Sequence, residues 1–207
     1  MTQLNTGLSG CSLELINDKV LRKHSPSVEY NSRLLMQAEK QKVFSNRIYK
    51  NVDAPKVYDI QSDYFDMEYI PGNTFSEFFS TASVNDVEFV VQTLFDYFDS
   101  LISTSRMVDA TNKILKKLDS LKEKTFHKEY IEFLRKYVES NKIIVPHTFC
   151  HGDLTFSNII FHKNRLFFID FLDCYVDTFL SDLVKIKQDL DYFWALKTWN
   201  VHTHRLE

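Results

Sequence analysis

The chain has 207 residues, of which 44% are hydrophobic, 26% charged and 14% aromatic, and it carries a formal net charge of −3. This is enough apolar material for one moderate domain or two small lobes, and it excludes disordered, collagen-like and low-complexity classes. The acidic balance argues against nucleic-acid binding, where phosphate contacts show as a basic excess, and fits a small or cationic ligand better.

Ser12 to Ile16 and Lys19 to Lys23 flank the turn-prone pair Asn17-Asp18 and predict a hairpin. Tyr30 to Phe44 then carries Leu34, Leu35, Ala38 and Val43 at helical spacing, and Lys56 to Ile60 reads as a strand after Pro55. A further extended run, Tyr64 to Ile70, stops at Pro71-Gly72, which divides residues 1–70 from residues 71–207. Beyond that point the period lengthens. Val84 to Ser103 predicts a helix with Val87, Val90, Val91, Leu94, Phe95, Phe98 and Leu101 on one face, and Ala110 to Leu121 and Glu129 to Val138 predict two more amphipathic helices. Asn158 to Phe161 and Arg165 to Ile169, split by His162-Lys163-Asn164, predict a tight hairpin, and Asp182 to Thr198 returns to helix. The expected fold is α+β: a small β-rich lobe with one helix, followed by a larger, mainly helical lobe that carries one hairpin.

No run reaches the roughly 18 apolar residues of a membrane helix, and the first ten residues lack the basic and apolar regions of a signal peptide, so a cytoplasmic protein without membrane contact is expected. Cys11, Cys150 and Cys174 lack CxxC spacing, which points to neither a disulfide framework nor a zinc knuckle. The four glycines are Gly7, Gly10, Gly72 and Gly152.

The densest reactive cluster is His151-Gly152-Asp153, with Asn158 five residues after the aspartate and Asp170-Phe171 across the hairpin. Two carboxylates and an amide oxygen converging at a loop mouth suit a hard, oxygen-seeking ion such as Mg²⁺, with one carboxylate left to orient a hydroxyl. The order matches the parts of a protein kinase, a catalytic Asp, an Asn five residues on and a metal-binding Asp before Phe. HGD replaces HRD, however, and Leu172 stands where a glycine would follow Phe171.

In those two departures the stretch from His151 to Asp170 resembles the HGDxxxxN and I-D-F/W motifs of aminoglycoside phosphotransferases and choline kinases. The resemblance implies a protein-kinase-like, two-lobed small-molecule kinase that uses ATP and Mg²⁺. Asp153 would be the catalytic base, with Asn158 and Asp170 as metal ligands. A phosphate-covering turn falls at Gly7 to Ser12, including Ser9, Gly10, Cys11 and Ser12. The third-strand cation is Arg22 or Lys23, with Arg22 favoured, and Glu39 would brace it. Met67-Glu68-Tyr69-Ile70-Pro71-Gly72 looks like the family's hinge, where the Glu68 carbonyl and the Ile70 N–H would meet adenine with Met67 behind them. His151 is expected to fix the loop by hydrogen bonds. Asp182 would either tether the catalytic loop or simply cap its own helix.

The acceptor would be a hydroxyl-bearing small molecule, an amino alcohol such as choline, an aminoglycoside or a sugar. Asp173, Asp189, Asp191, Tyr192 and Trp194 are candidates for holding a cationic amine by charge or cation–π contact. The segment around them also fits an ordinary helix with an aromatic core face and an acidic solvent face, and that reading is favoured. Two other functions compete with the kinase: a nucleotide-binding pseudokinase or partner-binding module, and a metal-dependent phosphoester hydrolase using His151, Asp153 and Asp170. The sequence carries no signal for oligomeric state.

Overall fold

The structure, a computed structural model, describes residues 2–4 and 9–195. Gly7 and the rest of residues 5–8, and the histidines at 202 and 204, lie outside them. The first layer is a five-stranded antiparallel sheet built from β1 (Thr2–Leu4), β2 (Ser12–Asn17), β3 (Val20–His24), β5 (Val57–Ile60) and β6 (Tyr64–Glu68), in the order β1-β2-β3-β6-β5. The expected hairpin forms between β2 and β3, and the Asn17 side-chain oxygen accepts from the Lys19 N–H to close its turn. Helix α1 (Val28–Ser45) packs on this sheet, where its Leu34 and Ala38 join Cys11, Phe65 and Met67 in a buried cluster.

The last turn of α1 enters a second and larger core. Phe44 is fully buried there, with Phe171, Tyr49, Phe149 and Phe168 rings between 5.0 and 5.7 Å from its own. This core is floored by a small sheet of β9 (Ile159–His162), β10 (Arg165–Phe168) and the two-residue β4 (Val52–Asp53), which runs parallel to β10. The turn between β9 and β10 has positive φ at Lys163 (47°) and Asn164 (56°), the geometry that matches the twist of a two-residue hairpin.

Around this floor lie α2 (Phe75–Thr81), α3 (Val84–Thr104) and α6 (Phe179–Tyr192). A capping box of Ser83 and Asp86 starts α3, whose buried stripe is Val90, Thr93, Leu94, Tyr97, Phe98 and Leu101. The expected face was therefore turned too far: Val91 and Phe95 are exposed, because Tyr97 takes the central position. A ribbon of β7 (Arg106–Asp109) and β8 (Ile144–His147) brackets α4 (Thr111–Lys122) and α5 (Lys128–Ser140), which pack through Leu118, Ile131 and Val138. No helix among the described residues is long and apolar enough to cross a membrane.

Because Phe44 is the point where α1 locks into the larger core, Phe44→Ala should cost about 3–5 kcal/mol, the usual penalty for emptying a buried aromatic site. Urea unfolding should show the midpoint falling with the slope unchanged. A loss below about 1 kcal/mol would mean that α1 is not seated there.

Candidate active site

The loop from Cys150 to Asn158 joins β8 to β9 and ends in a short 3₁₀ turn (Phe156–Asn158). His151 is fully buried at its base. Its Nε2 lies 2.7 Å from the Ile169 carbonyl, and its Nδ1 accepts from the Asp153 N–H at 3.2 Å. Those partners require a neutral ring protonated on Nε2, and burial pushes its pKa down to about 4. With both nitrogens engaged, His151 shapes the loop and has no site free for proton transfer.

Gly152 has φ +96°, and a Cβ there would lie 2.2 Å from the Leu172 carbonyl oxygen. Only glycine fits this close approach in the left-handed region. The backbone N–H groups of His151 and Gly152 both donate to Asp182, at 2.6 and 2.8 Å. Asp182 is fully buried, and burial raises its pKa to about 6 against the lowering effect of those two bonds. It does not cap its own helix. That position belongs to Thr178, whose hydroxyl accepts from the Leu180 N–H.

Beyond this anchor the loop presents Asp153, whose carboxylate is partly exposed and lies 2.9 Å from Lys185 Nζ. Asn158 turns its side-chain amide nitrogen toward the Asp153 backbone carbonyl oxygen (2.7 Å), and the Asn158 backbone carbonyl accepts from the Ile169 N–H (3.0 Å). Asp170 follows directly, in the left-handed region at φ +61°, with its carboxylate about half exposed. Hydrogen bonds thus join Asn158 to Asp153, and the Ile169 N–H bond to Asn158 sets the next residue, Asp170, beside them. From the opposite side comes Lys23 of β3, buried to 4% exposure, with Nζ 2.8 Å from Asp170 Oδ1 and 3.2 Å from Gln37 Oε1.

Residues 3–200 match the profile of the phosphotransferase enzyme family. The chain belongs to that family. Among solved structures, the streptomycin–ATP ternary complex of APH(2'')-IIa superposes with a TM-score of 0.66 at 21% identity, over 89% of this chain and 69% of that one. The gentamicin complex of APH(2'')-IIa gives 0.59 at 19% identity, over 94% and 82%. The GDP and kanamycin complex of APH(2'')-IIia gives 0.58 at 15% identity, over 91% and 72%. No curated protein matches the chain in sequence. The phosphotransferase has the two-lobed, kinase-like α+β fold of these neighbours.

Several side chains of this phosphotransferase lie elsewhere than the sequence suggests. Arg22 points to the other face of β3, where its guanidinium holds Asp66 at 2.7 and 2.9 Å and stacks on the Tyr64 ring; Lys23 is the inward cation. Glu39 does not brace it. It is exposed on the outer side of α1, lining a shallow cleft with Lys42 and Tyr58, and the brace is Gln37. Asp189 is buried and accepts from the N–H groups of Phe156 (2.5 Å) and Ala195 (2.9 Å), so it holds the loop and not a ligand. Asp191 pairs with Lys187 on the exposed side of α6, while Asp173, Tyr192 and Trp194 are also exposed. Ser9 and Gly10 form an exposed turn, closed by the Cys11 N–H on the Ser9 hydroxyl; Cys11 itself is core and Ser12 opens β2. Met67 is buried behind the exit of β6, Glu68 is half-buried, and the Ile70 carbonyl accepts from Gly72 N–H. Lys185 is the residue that sequence reasoning passed over. Its signal was spacing, since Asp182, Lys185 and Asp189 recur on one face of α6.

The depressed pKa of His151 sets a pH dependence. A buried group held neutral contributes its stability above the unfolded pKa of 6.5 and loses it as pH falls toward about 4. The stability advantage of wild type over His151→Gln should therefore narrow between those values, by up to about 3 kcal/mol in all. Asp182 is common to both proteins and drops out of the difference. Urea titrations at several pH values read this directly; a gap that does not change with pH would contradict a neutral, buried His151.

Proposed function

We propose that this phosphotransferase moves the γ-phosphoryl group of ATP to a hydroxyl of a small, amine-bearing acceptor, in the cytoplasm, where ATP is supplied. The observation that carries the reading is the Lys23–Asp170 ion pair, which brings the cation of the sheet to the same mouth as Asp153 and Asn158. A strand lysine, a loop Asp with an Asn five residues on, and an Asp before Phe are the parts that phosphoryl transfer requires.

Asp153 is placed to receive the proton of the acceptor hydroxyl, and Lys185 and Asn158 hold it at the loop mouth. As the acceptor oxygen bonds to phosphorus, the bond from the γ-phosphorus to its bridging oxygen breaks. Lys23 is the cation for the phosphates, since Arg22 is taken by Asp66. The half-exposed Asp170 carboxylate and the amide oxygen of Asn158 form an all-oxygen donor set suited to Mg²⁺. When bound there, Mg²⁺ supplies neutralisation of the phosphate oxygens. Backbone groups of Glu68 and Ile70, with Met67 behind, would receive adenine, and the Ser9 to Ser12 turn would cover the phosphates. Most of the rate comes from positioning, because a loose transition state leaves little covalent work to the protein.

An aminated acceptor is supported by the exposed carboxylate of Asp173 and by the streptomycin, gentamicin and kanamycin found in the neighbouring structures. ATP consumption against a panel of aminoglycosides, amino alcohols and neutral sugars tests the class. With the preferred acceptor, Asp153→Asn should lower kcat by roughly 10²–10⁴, the size of a general-base effect, and leave the KM for ATP nearly unchanged. Full turnover in that variant, or turnover with no acceptor in the panel, would overturn the proposal.

A further inference from the structure

Two thiols sit directly behind the loop mouth. Cys150 immediately precedes His151 and is fully buried, while Cys174 follows Asp170 by four residues and is partly exposed. Their sulfurs are 2.6 Å apart, with the Cys150 S–H directed at Cys174. Lys40 of α1 brings its ammonium to 3.5 Å from Cys174 Sγ and 3.9 Å from Cys150 Sγ, and also donates to the Leu172 carbonyl. Asp177 Oδ1 lies 3.8 Å from the Cys150 sulfur. Neither thiol has a role in the transfer described above.

We infer that Cys150 and Cys174 form a peroxide-reactive dithiol, a modification site that closes to a disulfide between the segment before His151 and the segment after Asp170. Cys174 is the attacking sulfur. It is the more accessible of the two, and a thiolate there is held by the Cys150 S–H and by the Lys40 ammonium. The hydrogen bond from Cys150 and the charge of Lys40 pull the Cys174 pKa below the usual thiol value, whereas that same bond and burial push Cys150 up. In the first step the Cys174 thiolate attacks the terminal oxygen of a hydroperoxide, an S–O bond forms as the O–O bond breaks, and the other oxygen leaves as alkoxide or hydroxide and takes up a proton, giving a sulfenic acid and an alcohol or water. In the second the Cys150 sulfur attacks the sulfenic sulfur and hydroxide leaves, taking up the thiol proton as water. The two electrons lost by the sulfurs reside in the reduced peroxide oxygen. The same sulfurs and Asp177 are close enough to surround a soft metal ion, but the Lys40 ammonium already occupies hydrogen-bonding positions on both sulfurs and opposes a second cation.

The test uses the reduced full chain and limiting hydrogen peroxide, followed by thiol titration and peptide mapping. The count of free thiols should fall from three to one, with peptides containing Cys150 and Cys174 joined, Cys11 untouched, and full reversal by dithiothreitol. Melting temperature should rise by about 5 °C in the oxidised form, as expected when a cross-link restrains the unfolded chain. Cys174→Ser should form no bond, Cys150→Ser should leave a Cys174 sulfenic acid that a cyclic 1,3-dione traps, and Lys40→Met should slow the reaction at least tenfold. Survival of both thiols, oxidation at Cys11 instead, or stoichiometric Zn²⁺ uptake that shields the pair would each overturn the inference. Because the readout is covalent, it stands apart from any assay of phosphotransfer.

Discussion

A buried carboxylate with two backbone N–H groups is the interaction on which the site depends. Removing Asp182 from water is unfavourable, as its raised pKa records, and the hydrogen bonds from His151 and Gly152 offset that penalty. The bonds fix the backbone immediately before Asp153, so the direction of that carboxylate follows from where α6 lies. The same helix face continues the contact along the loop: Lys185 meets Asp153 and Asp189 meets the Phe156 N–H. Residues 182, 185 and 189 share a face because of the helical period, and they read a loop running alongside.

The opposite wall is set by α1. Its Gln37 holds Lys23, its Lys40 reaches the Leu172 carbonyl, and its Phe44 anchors in the larger core. One rigid helix therefore positions the cation of the sheet, the segment after Asp170 and the main aromatic cluster. Gly152 completes the fit, since a side chain there would collide with Leu172 backbone. Phosphoryl transfer demands little covalent chemistry and much fixed geometry, and a helix on either side of the loop supplies it.

Much of this was legible before the structure. The β2–β3 and β9–β10 hairpins, α1 and α3 follow from period and turn residues, and the cluster of His151, Asp153, Asn158 and Asp170 follows from chemistry that needs those groups together. What the sequence lacked was facing. Strand alternation separates Arg22 from Lys23 but does not say which turns inward; that is decided by Asp66 and Tyr64 waiting on the outer face. Glu39 and Gln37 are two residues apart, about 200° around a helix, so a charge-based choice of brace selected the wrong side. Asp189 reads as an acidic surface residue until the loop it satisfies is in view. The two-residue β4 is too short for a period, and β7 and β8 pair across the intervening α4 and α5, with no connecting turn in the sequence to announce them.

The account rests on the Asp182 anchor, and amide hydrogen exchange at His151 and Gly152 measures it in the unmodified protein. If both N–H groups are held by the buried carboxylate, they should exchange as slowly as amides of the β9–β10 core, through opening of the larger core as a unit. Exchange at the rate of an exposed loop amide would show that α6 does not hold the loop, and would contradict the account.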